Sequence, residues 1–463
     1  MDGGQQMTHL VFAELRRNAA TWAGAFAVAV ACGFVGGWGA SMLATTHAQT
    51  SLGFWGDMVL AFSAPSAAAV VSSASRLAVV AQRRSFALWQ LANVSPRLIA
   101  RIVRAQLATV GFVGAAFGTA LEAASVRPLF PLVFCSPYYQ TISHTTVDVG
   151  LPLMPWIWLG SAAVFVLGGA RSARLAGTTP PIAALQTADD GPLPSGHPGT
   201  RPHGARIRRA AAALVPMALF GLASSSLYGA DPTSSSQWSV SPFLPLLASA
   251  AFAVAAPLLL PSLFAAWTRP IPQRCTPWML ARASARHSLT SSTAMEVPVA
   301  VGIGVVCGVS SISDTLQEYI ARNGIVDMAA SLDFTSMLLL FGGPVILCAV
   351  GAASSVIMTS RALTNDARLL AACGARRTTI VAARVLEVVA HTVNALIAGL
   401  LIALVSDAVV STAAGLPALC GFSPIPAMAI AALGLLLLAS SMLAPTVAAV
   451  RSPYGIPMPN DAA

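Results

Sequence analysis

The chain has 463 residues, of which 56% are hydrophobic and only 9% are charged, whereas about a quarter of the residues of a soluble domain are charged. This composition excludes an ordinary water-soluble fold. The chain has 26 arginines, no lysine and 17 acidic residues, which give a formal net charge of +9. The distribution of these arginines, rather than their number, decides between nucleic-acid binding and membrane topology.

Ten mainly apolar runs are long enough to cross a bilayer as helices. A helix satisfies its own backbone hydrogen bonds, which lipid cannot do, so about 18 or more apolar residues predict a span. We place the spans at Trp22–Leu43, Asp57–Val80, Arg104–Ala124, Leu151–Gly169, Ile207–Tyr228, Pro242–Ala266, Met295–Ser313, Phe334–Met358, Arg384–Ser406 and Ile425–Val450. The sequence therefore predicts an all-α membrane protein whose first run is a retained anchor, not a cleaved signal peptide.

The arginines predict the orientation of these spans. If the N-terminus is cytoplasmic, only Arg127 and Arg322 fall on the outer side, which is a strong positive-inside bias. We expect a multi-pass plasma-membrane protein with both termini in the cytoplasm and no nucleic-acid partner.

Only Cys135 and Cys420 lie near the predicted outer face, where a disulfide and two free thiols are both open alternatives.

A hydrophilic segment, residues 173–209, divides the chain into two halves. Each half begins with an amphipathic, arginine-containing segment, His9–Asn18 or Trp278–Ser288, which we predict to be a helix in the membrane interface. A basic cytoplasmic segment follows the second span of each half, at Gln82–Gln106 and Asn365–Glu387. The halves thus repeat one pattern, as transporter folds commonly do.

The two basic segments align with an offset of 281 residues, which places Asn93 on Gly374, Leu88 on Leu369 and Gln106 on Glu387. In the first, a short apolar helix precedes a turn at Asn93–Pro96, because Asn, Ser and Pro favour turns and helix starts. An exposed Trp and Leu pair ringed by arginine, as predicted for this helix, is typical of a helix that docks in a groove of another protein. The alternative is a loop that folds back on the membrane surface.

These segments resemble those of the FtsX-like, or MacB-type, permease domain. Leu91–Pro96 and Ala372–Arg376 stand where that family has Leu-Gly-Ala and a turn before a basic helix, and Pro180–Leu185 is similar to its Pro-x-x-x-Leu ending. The layout looks like the ten-span BceB type without its large extracellular domain. The resemblance divides the chain into a first permease domain (9–186), a flexible cytoplasmic linker (187–206), two connecting spans (207–268) and a second permease domain (278–455).

The resemblance implies that each basic segment is a coupling helix for a separate ABC ATPase, with one chain serving two ATPase copies that bind ATP and Mg. It implies export or membrane extraction of an amphipathic substrate, such as an antimicrobial peptide, a lipid or a hydrophobic drug. The implied ATPase-coupling residues are Phe86, Leu88, Trp89, Leu91, Asn93, Ser95, Pro96, Leu369, Leu370, Gly374, Arg376 and Arg377.

ATP hydrolysis is not expected in this chain, because a P-loop needs a lysine to reach the β and γ phosphates. We find no catalytic constellation, no metal signature and no cofactor motif, so the chain itself is not predicted to be an enzyme.

Polar residues within the ninth predicted span are candidates for function, since ionisable groups in lipid are costly. Glu387, His391 and Asn394 share one helical face. A proton relay or substrate contact is one interpretation, and helix-packing hydrogen bonds are the other. Glu122 and Glu296, near span ends, are expected to meet interfacial water.

Glycines in the first and seventh spans predict that these two spans form the interface between the halves.

Two other functions stay open. An ion-coupled secondary transporter would need carboxylates buried in mid-span, of which the sequence offers few. A non-transporting protein that uses ATPase cycling to regulate an envelope enzyme is the second, and the short outer loops, of which 125–150 is the longest, argue against it.

Overall fold

The protein is helical throughout the part of the chain that the computed structural model describes, which is residues 19–135, 139–178, 203–228, 238, 240–272, 275–287, 289–324 and 334–451. The predicted interfacial helix at 9–18, the 180–185 motif and most of the linker lie outside the described residues. In chain order the helices are α1 (Ala19–Ala44), α2 (Ser51–Ala81), α3 (Arg83–Leu91), α4 (Pro96–Val133), α5 (Gln140–Ser143), α6 (Met154–Thr178), α7 (His203–Ser225), α8 (Phe243–Thr268), α9 (Thr276–His287), α10 (Leu289–Asn323), α11 (Phe334–Ala372), α12 (Arg377–Ala413) and α13 (Ile425–Arg451).

Every predicted span coincides with a helix. Seven helices, α1, α2, α4, α8, α10, α11 and α12, are long and apolar enough to cross a membrane. Within the described residues, α6, α7 and α13 carry shorter apolar stretches of 10–17 residues. The prediction of an all-α, multi-pass membrane protein is confirmed.

The same helix pairs pack in both halves. In the first half, α1 packs on α2 and α4, and α6 packs on α2 and α4. In the second half, α10 packs on α11 and α12, and α13 packs on α11 and α12. Helices α7 and α8 pack against each other, and α8 joins the second half through α10 and α12.

Glycines allow the close approach of the first and third helices of each half. A Cβ on Gly118 of α4 would lie 2.1 Å from the carbonyl oxygen of Val30 on α1. In the second half, a Cβ on Gly399 of α12 would lie 2.6 Å from Cβ of Ile303 on α10. Side chains larger than hydrogen are therefore excluded at both positions.

The interface between the halves is formed mainly by α2 and α11, with α1 also contacting α11 and α10 also contacting α2. The prediction that the first and seventh spans form this interface is wrong, because their glycines pack within their own halves: Gly33 against Ala115, and Gly304 against Ile402. Glycines Gly343 and Gly351 of α11 provide the close approach between halves instead.

Candidate functional site

The turns that follow α3 and α11 have the same backbone geometry. Asn93 and Gly374 both have positive φ, 63° and 84°, at the residue after the helix cap. In the first turn, the N–H of Val94 donates to the carbonyl of Trp89, and that of Asn93 donates to Gln90. This hydrogen-bond pattern is the Schellman motif, in which a left-handed residue ends a helix.

The second turn repeats these bonds 281 residues later, where Ala375 donates to Leu370 and Gly374 donates to Ala371. The next helix also begins alike: Ser95 and Arg376 are N-caps with φ −64° and ψ near 140°. The Ser95 side chain accepts a hydrogen bond from the N–H of Leu98, as the predicted helix start requires. The offset inferred from the sequence thus holds at the level of individual backbone bonds.

The side chains at these turns divide into an exposed set and a buried set. Leu88 is 51% exposed and its counterpart Leu369 is 58% exposed. Phe86 is buried, and Trp89 is half-buried with its ring 5.8 Å from that of Phe86, so neither belongs to the exposed tip. The prediction of an exposed Trp and Leu pair is therefore corrected to a surface of leucines.

The remaining predicted coupling residues fall on both sides of this division. Leu370 is half-buried. The exposed residues are Leu91, Asn93, Ser95, Pro96, Gly374, Arg376 and Arg377.

Both turns lie on the same face of the molecule. Gly343 of α11 faces Ser63 of α2, and eight residues further along α11, Gly351 faces Val70 of α2. Residue numbers increase in the same direction along the two helices at these contacts, so α2 and α11 run parallel. Their C-terminal ends therefore lie on the same face of the molecule. The 18 residues from Gly351 to Leu369 extend the helix by about 27 Å at 1.5 Å per residue.

The second half contains a buried polar network inside the helix bundle. Glu296 of α10 is fully buried, and its two carboxylate oxygens contact His391 Nδ1 and Asn394 Nδ2, the latter at 2.7 Å. The indole N–H of Trp267 on α8 donates to Asn394 Oδ1 at 3.2 Å. Three helices are thus joined by side-chain hydrogen bonds at one point.

The network continues toward the exposed turn through Glu387. Its carboxylate accepts from Ser284 of α9 at 2.9 Å and from Arg384 at 2.7 Å. Arg384 also contacts Asp366 of α11 at 3.3 Å, and Asp366 lies one helical turn before Leu369. Since Glu387 Oε1 lies 3.9 Å from His391 Nε2, a series of polar contacts runs from the exposed leucine segment into the spans. Helix α9, predicted as an interfacial helix, takes part through Ser284.

The predicted trio Glu387, His391 and Asn394 is confirmed as one face of α12, but its main partner was missed. Glu296 was assigned to interfacial water, whereas it is buried against His391 and Asn394. A carboxylate inside an apolar run, with a histidine and an asparagine on another span, was the available signal.

The first half lacks the charges of this network. At the same offset, Asp366, Arg384, Glu387 and His391 are replaced by Ser85, Val103, Gln106 and Val110. Gln106 is buried, and its amide makes no hydrogen bond within the described residues. The two exposed turns are therefore alike in backbone and different in how they connect to the bundle.

Each half also carries one carboxylate nearer the opposite face, bonded to a hydroxyl on the neighbouring helix. Ser41 of α1 donates to Glu122 of α4 at 2.9 Å, and Thr315 of α10 donates to Asp407 of α12 at 2.6 Å. Both carboxylates are fully buried, so the expectation that Glu122 meets interfacial water is wrong.

Metal ligands are not grouped in the described part of the chain, where no cluster of three or more His, Cys, Asp or Glu side chains could hold an ion. Cys135 and Cys420 are free thiols and both are exposed.

The chain was also compared with known proteins. No protein-family model matches it, and no curated protein is similar to it.

Proposed function

We propose that the chain is the permease subunit of an ATP-binding cassette transporter, driven by a separate ATPase and acting on an amphipathic substrate such as an antimicrobial peptide, a lipid or a hydrophobic drug. The observation that carries this proposal is the pair of turns with the same backbone geometry that follow the parallel helices α2 and α11. One presents the exposed Leu369 of α11, and the other presents the exposed Leu88 of α3, the short helix after α2. A pair of equivalent docking elements is suited to a partner with two equivalent subunits.

The proposal includes ten spans, formed by the seven long helices together with α6, α7 and α13. It also includes two FtsX-like repeats, 9–186 and 278–455, which is supported by the matching helix pairs and the matching turns in the two halves. The proposal also includes a cytoplasmic position for this face and for both termini, which is supported by the positive-inside bias, since the exposed turns carry Arg97, Arg376 and Arg377.

In this proposal each turn docks in a groove of one ATPase copy. Leu88 and Leu369 provide apolar contact, and the surrounding arginines select an acidic rim. Closure of the ATPase dimer would pull the two turns together and move α2 against α11, the helices that join the halves. ATP and Mg would be bound by the partner.

The test is ATP hydrolysis by material purified through an affinity tag on this chain. The proposal predicts Mg-dependent hydrolysis in the eluate that rises when an amphipathic substrate is added. A tagged chain that is folded and carries no ATPase contradicts it.

A second candidate function, ion-coupled secondary transport, gains support from burial. Glu122, Glu296, Glu387 and Asp407 are all buried within spans, whereas the sequence offered few such carboxylates in mid-span. This candidate predicts substrate movement that an ionophore for the coupling ion, proton or sodium, abolishes and that ATP does not alter. The ATPase-driven proposal predicts the reverse dependence.

A further inference from the structure

The buried polar network has an unbalanced charge if His391 is neutral. Its buried ionisable groups are the carboxylates of Glu296 and Glu387, the guanidinium of Arg384 and the imidazole of His391. Two carboxylates and one guanidinium sum to −1. One proton on the imidazole brings the sum to zero.

Neighbouring charges do not supply this balance. Asp366 of α11, which contacts Arg384, is negative and half-exposed, so water solvates it. Arg282 of α9 is buried but forms no ion pair within the described residues. From α8, the Phe264 ring and the Trp267 indole face the network, and neither carries a charge. Among the described residues, the positive groups within 4 Å of the two carboxylates are therefore the guanidinium of Arg384 and, when protonated, the imidazole of His391.

Both nitrogens of the His391 ring face carboxylates. Nδ1 contacts Glu296 Oε1, and Nε2 lies 3.9 Å from Glu387 Oε1 without a closer acceptor or donor in the described residues. A ring with a proton on Nδ1 donates to Glu296, and a second proton on Nε2 would add charge attraction to Glu387 across 3.9 Å, a separation longer than a hydrogen bond. A buried charge without a partner is strongly unfavourable, so the geometry fits the doubly protonated ring.

We propose that Glu296, His391 and Glu387 form a proton-binding site in which one proton, held on the imidazole between two carboxylates, joins α10 to α12. The site binds a proton because the fold buries two carboxylates, and the one guanidinium that pairs with them, that of Arg384, balances only one of these charges. This inference does not rest on the proposed function, since it follows from the packing of α8, α9, α10 and α12 whatever drives transport.

The site also bears on the exposed turn of the second half. Asp366, Arg384 and Glu387 connect that turn to His391. Loss of the proton would leave the charge of Glu296 without a counter-charge, although Asn394 still donates to it, and this would weaken the attachment of α12 to α10. The first half has no equivalent charges, and its turn would not respond. Proton binding would thus act on one of the two turns.

A charge-balance cycle tests the proposal on the full chain in detergent, by chemical unfolding of wild type, H391Q, E296Q and the H391Q/E296Q double variant. H391Q removes the positive charge and leaves the buried Glu296 carboxylate without a counter-charge, so it is expected to be the least stable. The double variant removes one charge of each sign and is expected to recover at least about tenfold in the folding constant relative to H391Q. A double variant no more stable than H391Q overturns the proposal.

The direction in which folding stability changes with pH is an independent test of the proposal. An unfolded histidine loses its proton above about pH 6.5 while the folded site keeps it. The unfolded state then binds fewer protons, so stability falls as pH rises. Between pH 7 and pH 8.5 the wild-type folding constant should fall about tenfold per pH unit more than that of the double variant. Equal slopes overturn the proposal.

A spectroscopic measurement covers the case in which the variants do not fold. In wild-type protein labelled with ¹⁵N-histidine, one imidazolium signal should persist at pH 8, where a histidine in water is neutral. If every histidine is neutral at pH 8, the proposal fails. If the proton site is confirmed and no ATPase co-purifies, only the proposed function fails.

Discussion

Replacing Leu88 and Leu369 by aspartate should separate the permease from its ATPase without unfolding it. Both side chains are about half-exposed at the two turns, 51% and 58%, so they contribute little to the core. Substitutions at such positions usually change stability by about 0.5 kcal/mol or less. The effect on docking should be much larger.

The magnitude follows from the exposed fractions. Burying a whole leucine side chain contributes about 1.5–3 kcal/mol, so burying the exposed half of Leu88 or Leu369 in a groove contributes about 0.75–1.5 kcal/mol. A carboxylate at the same place would also lose its hydration, which costs about 1–3 kcal/mol or more. Each site should therefore weaken by about 2–4 kcal/mol, which is about 30-fold to 1000-fold in Kd.

The assay measures ATPase retained per tagged permease, alongside thermal melting of the permease itself. Each single variant should lose one ATPase copy, and the double variant both, with the melting temperature unchanged. Ala418→Asp is a matched control, because it introduces the same charge at an exposed turn at the opposite end of α12. Full retention of ATPase by the folded double variant would refute the docking surface. Trp89 is unsuitable for this test, because it packs against Phe86.

Two further predictions concern the framework of the site. Gly374→Val should lower stability by about 1–2 kcal/mol, because φ of 84° is unfavourable for a residue with a Cβ. Asn93→Gly should be close to neutral in the same melting assay, because glycine adopts positive φ freely. Equal melting temperatures for the two variants would contradict the left-handed turn. In a cysteine-depleted background, Ser63→Cys and Gly343→Cys should form a disulfide, since a Cβ at 343 would lie 3.3 Å from Cβ of Ser63, and a small shift brings this into the usual range of about 3.5–4.5 Å. After cleavage at a protease site placed in 187–202, the halves should stay joined on a denaturing, non-reducing gel. Halves that separate there would contradict the contact between α2 and α11.

The sequence predicted the helices well because the signal is strong in a membrane protein. Long apolar runs must be helical in lipid, so the predicted spans coincide with helices, even though ten crossings remain part of the proposal. The turn at Asn93 and Gly374 was also predictable, since Asn and Gly are the residues that end helices in the left-handed conformation.

Packing was predicted less well, because small residues indicate a close approach without identifying the partner. Gly33 could have faced the other half as readily as α4, and the structure places it against Ala115 within its own half. The exposed surface was misjudged for a similar reason: Phe86 and Trp89 lie on the same short helix as Leu88, but only the fold determines which face turns inward.

The polar network was half predicted. Glu387, His391 and Asn394 have helical spacing, so their shared face could be inferred from α12 alone. Glu296 and Ser284 are about 95 and 103 residues away from their partners in sequence, and nothing local in the chain indicates those pairings. Contacts of this range depend on the packing of whole helices, which a single sequence does not specify.

The mass of the intact complex tests the central claim most directly. Native mass spectrometry of the tagged chain, released from its own membranes in mild detergent with ATP, should show one 47.4 kDa chain, with any tag added, bound to two copies of a nucleotide-loaded ATPase. The Leu88→Asp, Leu369→Asp double variant should lose both ATPase copies, as expected if the ATPase docks at these two leucines. A wild-type chain that appears alone, or with partners that bind no nucleotide, would contradict the account.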